Sequence, residues 1–163
     1  MTVTAEILGS YRHPARAFTR LLAGPRREDR ALVMIMAAAG LIFVSRWPEA
    51  VRAAHFDTEL PLEARLAGAL FATVFVMPLC AYLVAALSHL LARAFGGRGS
   101  HYGARIALFW SLLSVAPLML VQGLAAGLLG PGAGGTLLGL AIFAVFLWLW
   151  ASGLRVAEFG GGA

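Results

Sequence analysis

The sequence predicts an all-α fold, a polytopic membrane helix bundle of four transmembrane helices with a short N-terminal interfacial amphipathic helix. Hydrophobic residues make up 60% of the chain and charged residues 13%, whereas a soluble domain carries about 25% charged residues. Residues 106–154 contain no Asp, Glu, Arg, Lys or His. Since about 20 apolar residues cross a bilayer core, this run is long enough to cross twice. The Gly- and Pro-rich residues 130–135 interrupt it once and predict the turn of a hairpin.

Residues 1–30 are basic and precede the first apolar run. Within them, residues 14–23 predict a short helix, with Pro14 in its first turn and Phe18 and Leu21 on the side opposite Arg16. Such a helix is expected to lie in the membrane interface with its apolar face toward lipid. Arginines here and in the central connector are expected to contact anionic lipid headgroups: Arg12, Arg16, Arg20, Arg26, Arg27, Arg30 and Arg98.

The predicted membrane domain covers residues 31–157 and is followed by a flexible tail, residues 158–163. Its four spans are predicted at residues 31–48, 64–92, 106–129 and 136–155. The second span is longer than a bilayer core requires, and Pro78 near its middle predicts a kink. Residues 49–63 are expected to form a polar connection between the first two spans, and the Gly-rich residues 93–105 a flexible loop.

The distribution of arginine predicts the topology. Most of the 13 basic residues lie in the N-terminal segment, the central connector and the end of the last span. These three segments share one side of the membrane if the chain has four spans. The positive-inside rule then places both termini in the cytoplasm.

Small and polar residues within the spans are the candidates for helix packing or for interaction with another protein. Gln122 is the most polar side chain deep in a span and needs a partner, either on a neighbouring helix or in a substrate path. The candidate packing residues are Gln122, Gly123, Gly127, Gly135, Gly139, Pro78 and Pro117. The glycine pairs permit close helix contact, within the bundle or in a dimer. The two prolines are expected to cause local kinks or to frame a transport site.

No residue pattern in the sequence indicates catalysis, a metal site or a cofactor. Cys80 and His89 are separated by nine positions, which is no ligand or nucleophile spacing. His89 lies near the end of its span and is expected to reach water. His13, His55 and His101 stand alone in flanking regions. Nucleic acid is not an expected partner, because the arginines lie between apolar runs rather than on one soluble face.

Two stretches together resemble a known family. Residues 11–22 (YRHPARAFTRLL) lead through Gly24 and Pro25 into the first span. Residues 101–118 (HYGARIALFWSLLSVAPL) open the third span, and the last span ends in residues 150–158 (WASGLRVAE). This arrangement resembles the bacterial, alphaproteobacterial branch of the Yip family of multi-pass membrane proteins. Members typically have one more span than this sequence predicts.

The resemblance implies a class of function rather than a reaction. Eukaryotic members of the family act in vesicle trafficking and bind prenylated Rab-type GTPases, a pathway that bacteria lack. What the resemblance implies here is a non-enzymatic scaffold of the bacterial inner membrane, or an accessory subunit of a membrane complex. Its expected partners are lipids and other integral membrane proteins. The alternative is a small membrane subunit of a transporter, of the tripartite carboxylate type, which length and topology also fit. A membrane enzyme is a third and less favoured class.

Overall fold

The computed structural model describes residues 3–57 and 59–160. Within these residues the chain is helical and contains no β-strand. The helices are α1 (Val3–Arg12), α2 (Pro14–Ala23), α3 (Glu28–Phe56), α4 (Leu62–Leu70), a π-helical segment (Phe71–Val76), α5 (Met77–Ala94), α6 (His101–Leu129) and α7 (Ala133–Phe159). Helix α4, the π-helical segment and α5 form one continuous helix. In the described part of the chain, four helices are long and apolar enough to cross a membrane, which confirms the predicted fold class.

Helix α6 lies at the centre of the bundle and packs against α3, α5 and α7. Its first half is buried on nearly every side, and Ile106, Phe109 and Trp110 are at most 2% exposed. The main core adds buried residues of α2, α3 and α5 to this half of α6. The first half of α6 is therefore the element around which the other helices assemble.

Helices α1 and α2 form a short N-terminal hairpin that packs against α6 and α7. Helix α2 has the predicted limits, Pro14 to Ala23. Its apolar face contacts protein rather than lipid, because Phe18 and Leu21 are buried in the core that includes α6. A Cβ atom at Gly153 of α7 would lie 2.7 Å from the Phe18 ring, so the absence of a side chain there admits the ring.

Helix α3 is longer than the sequence predicted. It continues through Pro48 to Phe56 and covers half of the expected polar connection. An internal proline removes one backbone hydrogen bond, and the helix continues on both sides of Pro48. At the end of the helix, the backbone N–H of Asp57 donates to the carbonyl of Ala53 at 2.9 Å.

The π-helical segment ends two residues before Pro78, the residue predicted to kink the second span. Pro78 has no N–H and its ring crowds the carbonyl of the preceding turn. The wider π turn at Phe71–Val76 is a local adjustment that makes room for the proline ring within an otherwise continuous helix. Pro117 lies inside α6, which also continues past it.

Helix α7 extends into the predicted flexible tail, as far as Phe159. Glu158, assigned to that tail from the sequence, is 2% exposed and belongs to the bundle. Residues 161–163 of the predicted tail lie outside the described residues.

Candidate functional site

The most unusual polar feature of the bundle is a buried pair formed by His89 of α5 and Glu158 of α7. The His89 Nδ1 and Glu158 Oε1 atoms are 2.6 Å apart. Both residues are 2% exposed. A carboxyl oxygen and an imidazole nitrogen at this distance are hydrogen-bonded. The pair therefore joins the ends of two helices that otherwise make little contact.

The connector between α5 and α6 covers this pair. The backbone N–H of Arg98 donates to the carbonyl of Glu158 at 2.8 Å. A Cβ atom at Gly99 would lie 2.7 Å from Glu158 Oε2, so the connector approaches α7 too closely for a side chain at this position. The predicted flexible loop is thus fixed on the end of α7 by backbone contacts.

His101, at the start of α6, lies beside the pair. The rings of His89 and His101 have centroids 4.0 Å apart. His101 is solvent-exposed, whereas His89 is enclosed. In the described part of the chain, no group of three His, Cys, Asp or Glu side chains is placed to hold a metal ion. The arrangement has the geometry of a hydrogen-bonded structural link between helices.

Sequence reasoning missed this pair and placed His89 in water and Glu158 in the tail. One signal was available, because an ionisable residue in an apolar span needs a polar partner. Glu158 is an acidic side chain on the same predicted side of the membrane. Nothing in the spacing along the chain indicates which acid approaches His89.

The N-terminal hairpin is held in place by two hydrogen bonds to α6. The indole Nε1–H of Trp110 donates to the Ser10 hydroxyl at 2.9 Å, and both residues are buried. The Tyr11 hydroxyl donates to the backbone carbonyl of Ser114. Burial raises the pKa of the Tyr11 hydroxyl, so the group remains a donor at neutral pH. The hairpin is thereby an integral part of the bundle.

The structure places Gly123 and Gly127 where α6 crosses α3. A Cβ atom at Gly123 would overlap the backbone carbonyl of Ser45, and one at Gly127 would lie 2.5 Å from the Pro48 Cβ. The α3–α6 contact is the most extensive between any two elements of the described chain. Two glycines one turn apart thus admit the backbone of a neighbouring helix.

The C-terminal end of α6 is capped by Arg52 of α3. The guanidinium Nη1 donates to the carbonyls of Gly127 and Leu128, each at 3.3 Å. Cationic donors are favourable at this end of a helix. The helix stops at Gly130, whose φ of 78° is in the left-handed region.

Gln122 and Gly139 are in contact across the α6–α7 interface. A Cβ atom at Gly139 would lie 2.6 Å from the Gln122 Nε2 atom. Gln122 also lines an open cleft of about 290 Å³ together with Arg46 and Glu49. Gly135 borders the same cleft, and a Cβ atom there would meet nothing within 4 Å.

The arginines predicted to contact lipid headgroups lie at the end of the bundle that carries the N-terminal hairpin. Six of them are exposed, namely Arg12, Arg16, Arg20, Arg26, Arg27 and Arg98. Arg30 is half-buried beside Gly24. Arg27 forms an ion pair with Asp29, with 2.7 Å between Nη2 and Oδ2.

Four helices that are each long and apolar enough to cross a bilayer define a multi-pass membrane protein. The Yip1 domain family matches residues 8–162, almost the whole chain. The chain therefore belongs to the Yip family. No curated protein and no solved structure matches it.

Proposed function

We propose that this protein is a non-enzymatic scaffold, or an accessory subunit of a membrane complex, in the bacterial inner membrane. The observation that carries the proposal is the one-sided packing of α5. Its buried face is formed by small residues, including Ala81 and Ala85, whereas Leu79 and Leu83 are 72% and 60% exposed. A face of large apolar side chains at this position fits lipid or the helix of another membrane protein.

Both termini are proposed to face the cytoplasm. The supporting observation is that the Arg-rich N-terminal hairpin, the connector that carries Arg98 and the end of α7 lie at one end of the bundle. The positive-inside rule assigns that end to the cytoplasm. Its exposed arginines would then meet the anionic headgroups of the inner leaflet.

The proposal is tested by extracting the tagged full-length protein from native membranes in a mild detergent and identifying its companions by mass spectrometry. A defined, stoichiometric set of membrane proteins supports the accessory-subunit role. Leu83→Trp on the exposed face of α5 is then expected to reduce their recovery. Leu140→Trp on the exposed face of α7 is the matched control. Recovery of the protein alone, with lipid only, contradicts the subunit role.

A second candidate is a small membrane subunit of a transporter, and the open cleft at the opposite end of the bundle favours it. Arg46 and Glu49 face Gln122 across this cleft, with 3.4 Å between Arg46 Nη1 and Glu49 Oε2. Copurification of a large permease, together with loss of carboxylate uptake in the Arg46→Gln variant, would support this candidate. Unchanged uptake in Arg46→Gln membranes would contradict it.

A further inference from the structure

A separate cavity of about 140 Å³ lies between the N-terminal hairpin and α6. Its polar lining comes from Glu6 of α1, from His13, and from Arg16 and Arg20 of α2. Its apolar lining comes from Leu21 and Trp110. The cavity therefore combines two guanidinium groups, one carboxyl group and a buried aromatic ring.

The two arginines are arranged to receive an anion. Arg16 and Arg20 are four positions apart and share one face of α2. Neither forms an ion pair or a side-chain hydrogen bond with another described residue. In contrast, Arg105 takes a bidentate contact of 2.8 Å with Glu28 where an acid is within reach. Two unpaired guanidinium groups at one cavity match a phosphate, which arginine binds through paired hydrogen bonds.

The apolar wall distinguishes a lipid from a free phosphate ion. Trp110 is 2% exposed, and its indole N–H is already donated to Ser10. The indole therefore offers the cavity no free hydrogen-bond donor, and the rest of the ring is carbon. Carbon surface beside a phosphate site suits the glycerol and acyl carbons of a lipid, whereas inorganic phosphate gains nothing from it.

Glu6 adds a second requirement. Its carboxylate lines the cavity that the two arginines border, and within the described chain it forms no ion pair. An ionised carboxylate accepts hydrogen bonds but donates none. A ligand that fills the cavity therefore needs a donor in addition to its phosphate, such as an ammonium or hydroxyl group.

We propose that this cavity binds the phosphate headgroup of a glycerophospholipid whose headgroup also carries a hydrogen-bond donor. The phosphate contacts Arg16 and Arg20, the donor contacts Glu6, and the glycerol carbons pack on Trp110. The inference rests on the proposed position of this end of the bundle at the membrane surface. It goes beyond general attraction to anionic lipid, because it assigns one headgroup to one cavity.

The test is binding of short-chain lipids to the full-length protein in mild detergent, followed by native mass spectrometry. The probes are phosphatidylethanolamine, phosphatidylglycerol, phosphatidylcholine, which lacks a donor, and inorganic phosphate. Arg16→Gln with Arg20→Gln is expected to weaken binding of the donor-bearing lipids about tenfold. Arg12→Gln with Arg26→Gln removes the same charge from exposed positions outside the cavity and is expected to change binding less than about twofold.

Glu6→Met, which removes the acceptor oxygens at similar side-chain length, is expected to abolish the preference for donor-bearing lipids over phosphatidylcholine. Equal weakening by the two double variants would overturn the site and indicate only general charge attraction. So would equal binding of phosphatidylcholine by the unmodified protein, or inorganic phosphate binding as tightly as lipid. Recovery of partner proteins by the Arg16→Gln, Arg20→Gln variant is measured in parallel, so that loss of the lipid site is distinguished from loss of the proposed subunit role.

Discussion

His89 and Glu158 are 69 positions apart in the chain, yet their Nδ1 and Oε1 atoms approach to 2.6 Å. The two residues belong to helices α5 and α7, which make few other contacts. A single buried polar pair therefore connects two helices whose apolar surfaces barely meet. The contribution of this pair to the free energy of unfolding should be measurable, because α5 and α7 share no large packing interface that would also hold them together.

Replacing Glu158 with Ala is expected to destabilise the protein by about 3 kcal/mol, because the imidazole of His89 is left buried without its partner. The measurement is equilibrium unfolding in mixed micelles with increasing SDS. Glu63→Ala is the control, since Glu63 is exposed on α4, and it should change stability by less than about 0.5 kcal/mol. Equal loss in both variants would contradict a special role for the pair. The double variant His89→Ala, Glu158→Ala should lose less than the sum of the single changes.

Gly123→Ala is expected to destabilise the bundle by about 2 kcal/mol, because the added methyl group overlaps the Ser45 carbonyl at the α3–α6 crossing. Gly135→Ala is the matched control, since its Cβ meets nothing within 4 Å. Thermal unfolding of both variants in the same detergent makes the comparison. Similar midpoints for the two variants would show that the close approach of α3 to Gly123 does not limit stability.

Tyr11→Phe is expected to loosen the N-terminal hairpin, since it removes the hydrogen bond to the Ser114 carbonyl, at a cost of about 1 kcal/mol. Hydrogen exchange should rise in α1 and remain unchanged in α7. Burial raises the pKa of Tyr11 in the folded protein. The hydrogen bond therefore contributes its full stabilisation at pH values below the pKa of Tyr11 in the unfolded chain. That stabilisation is lost as the pH rises through the higher pKa of Tyr11 in the folded protein. Tyr82→Phe in α5 is the control, since the Tyr82 hydroxyl forms no hydrogen bond with another described residue. Unchanged exchange in the Tyr11→Phe variant would contradict a tether at this position.

The connection between α3 and α4 is expected to loosen in acid. The Arg65 guanidinium, and next the backbone N–H of Glu59, hold the pKa of the Asp57 carboxyl below its usual value. Because the pKa of Asp57 is lower in the folded protein, its contacts with Arg65 and Glu59 stabilise the fold at pH values above the pKa of Asp57 in the unfolded chain. This stabilisation is lost as the pH falls through the pKa of Asp57 in the folded protein. Amide exchange in residues 59–62 should therefore increase in that acidic range. Asp57→Asn should show high exchange at every pH, and a steep acid response in that variant would assign the effect to another group.

The helices were predictable because they depend on local composition. Pro14 and Gly24 set the limits of α2, and the turn at residues 130–135 separates α6 from α7. The end of α3 was predicted too early, at Pro48. Proline in a sequence indicates a break in a helix, but it removes only one backbone hydrogen bond. The extensive packing of α3 on α6 favours continuation of the helix beyond Pro48.

The polar site was not predictable in the same way. Glu158 follows a basic residue near a Gly-rich end, which is the composition of a solvated tail. Its burial depends on Gly99 and on the backbone of Arg98, which close over it from another part of the chain. Contacts of this kind depend on the arrangement of three helix ends in space. The hydrophobic periodicity of the sequence carries no information about that arrangement.

The late position of Glu158 has a consequence for synthesis. A ribosome delivers α5, with His89, well before it delivers the end of α7. During that interval the nascent chain holds an imidazole near the membrane without its acidic partner. The pair forms only when α7 is in place, so it marks the docking of α7 on α5. Chains that stop before Glu158 are expected to be recognised as incomplete by membrane proteases and degraded faster than the full-length protein.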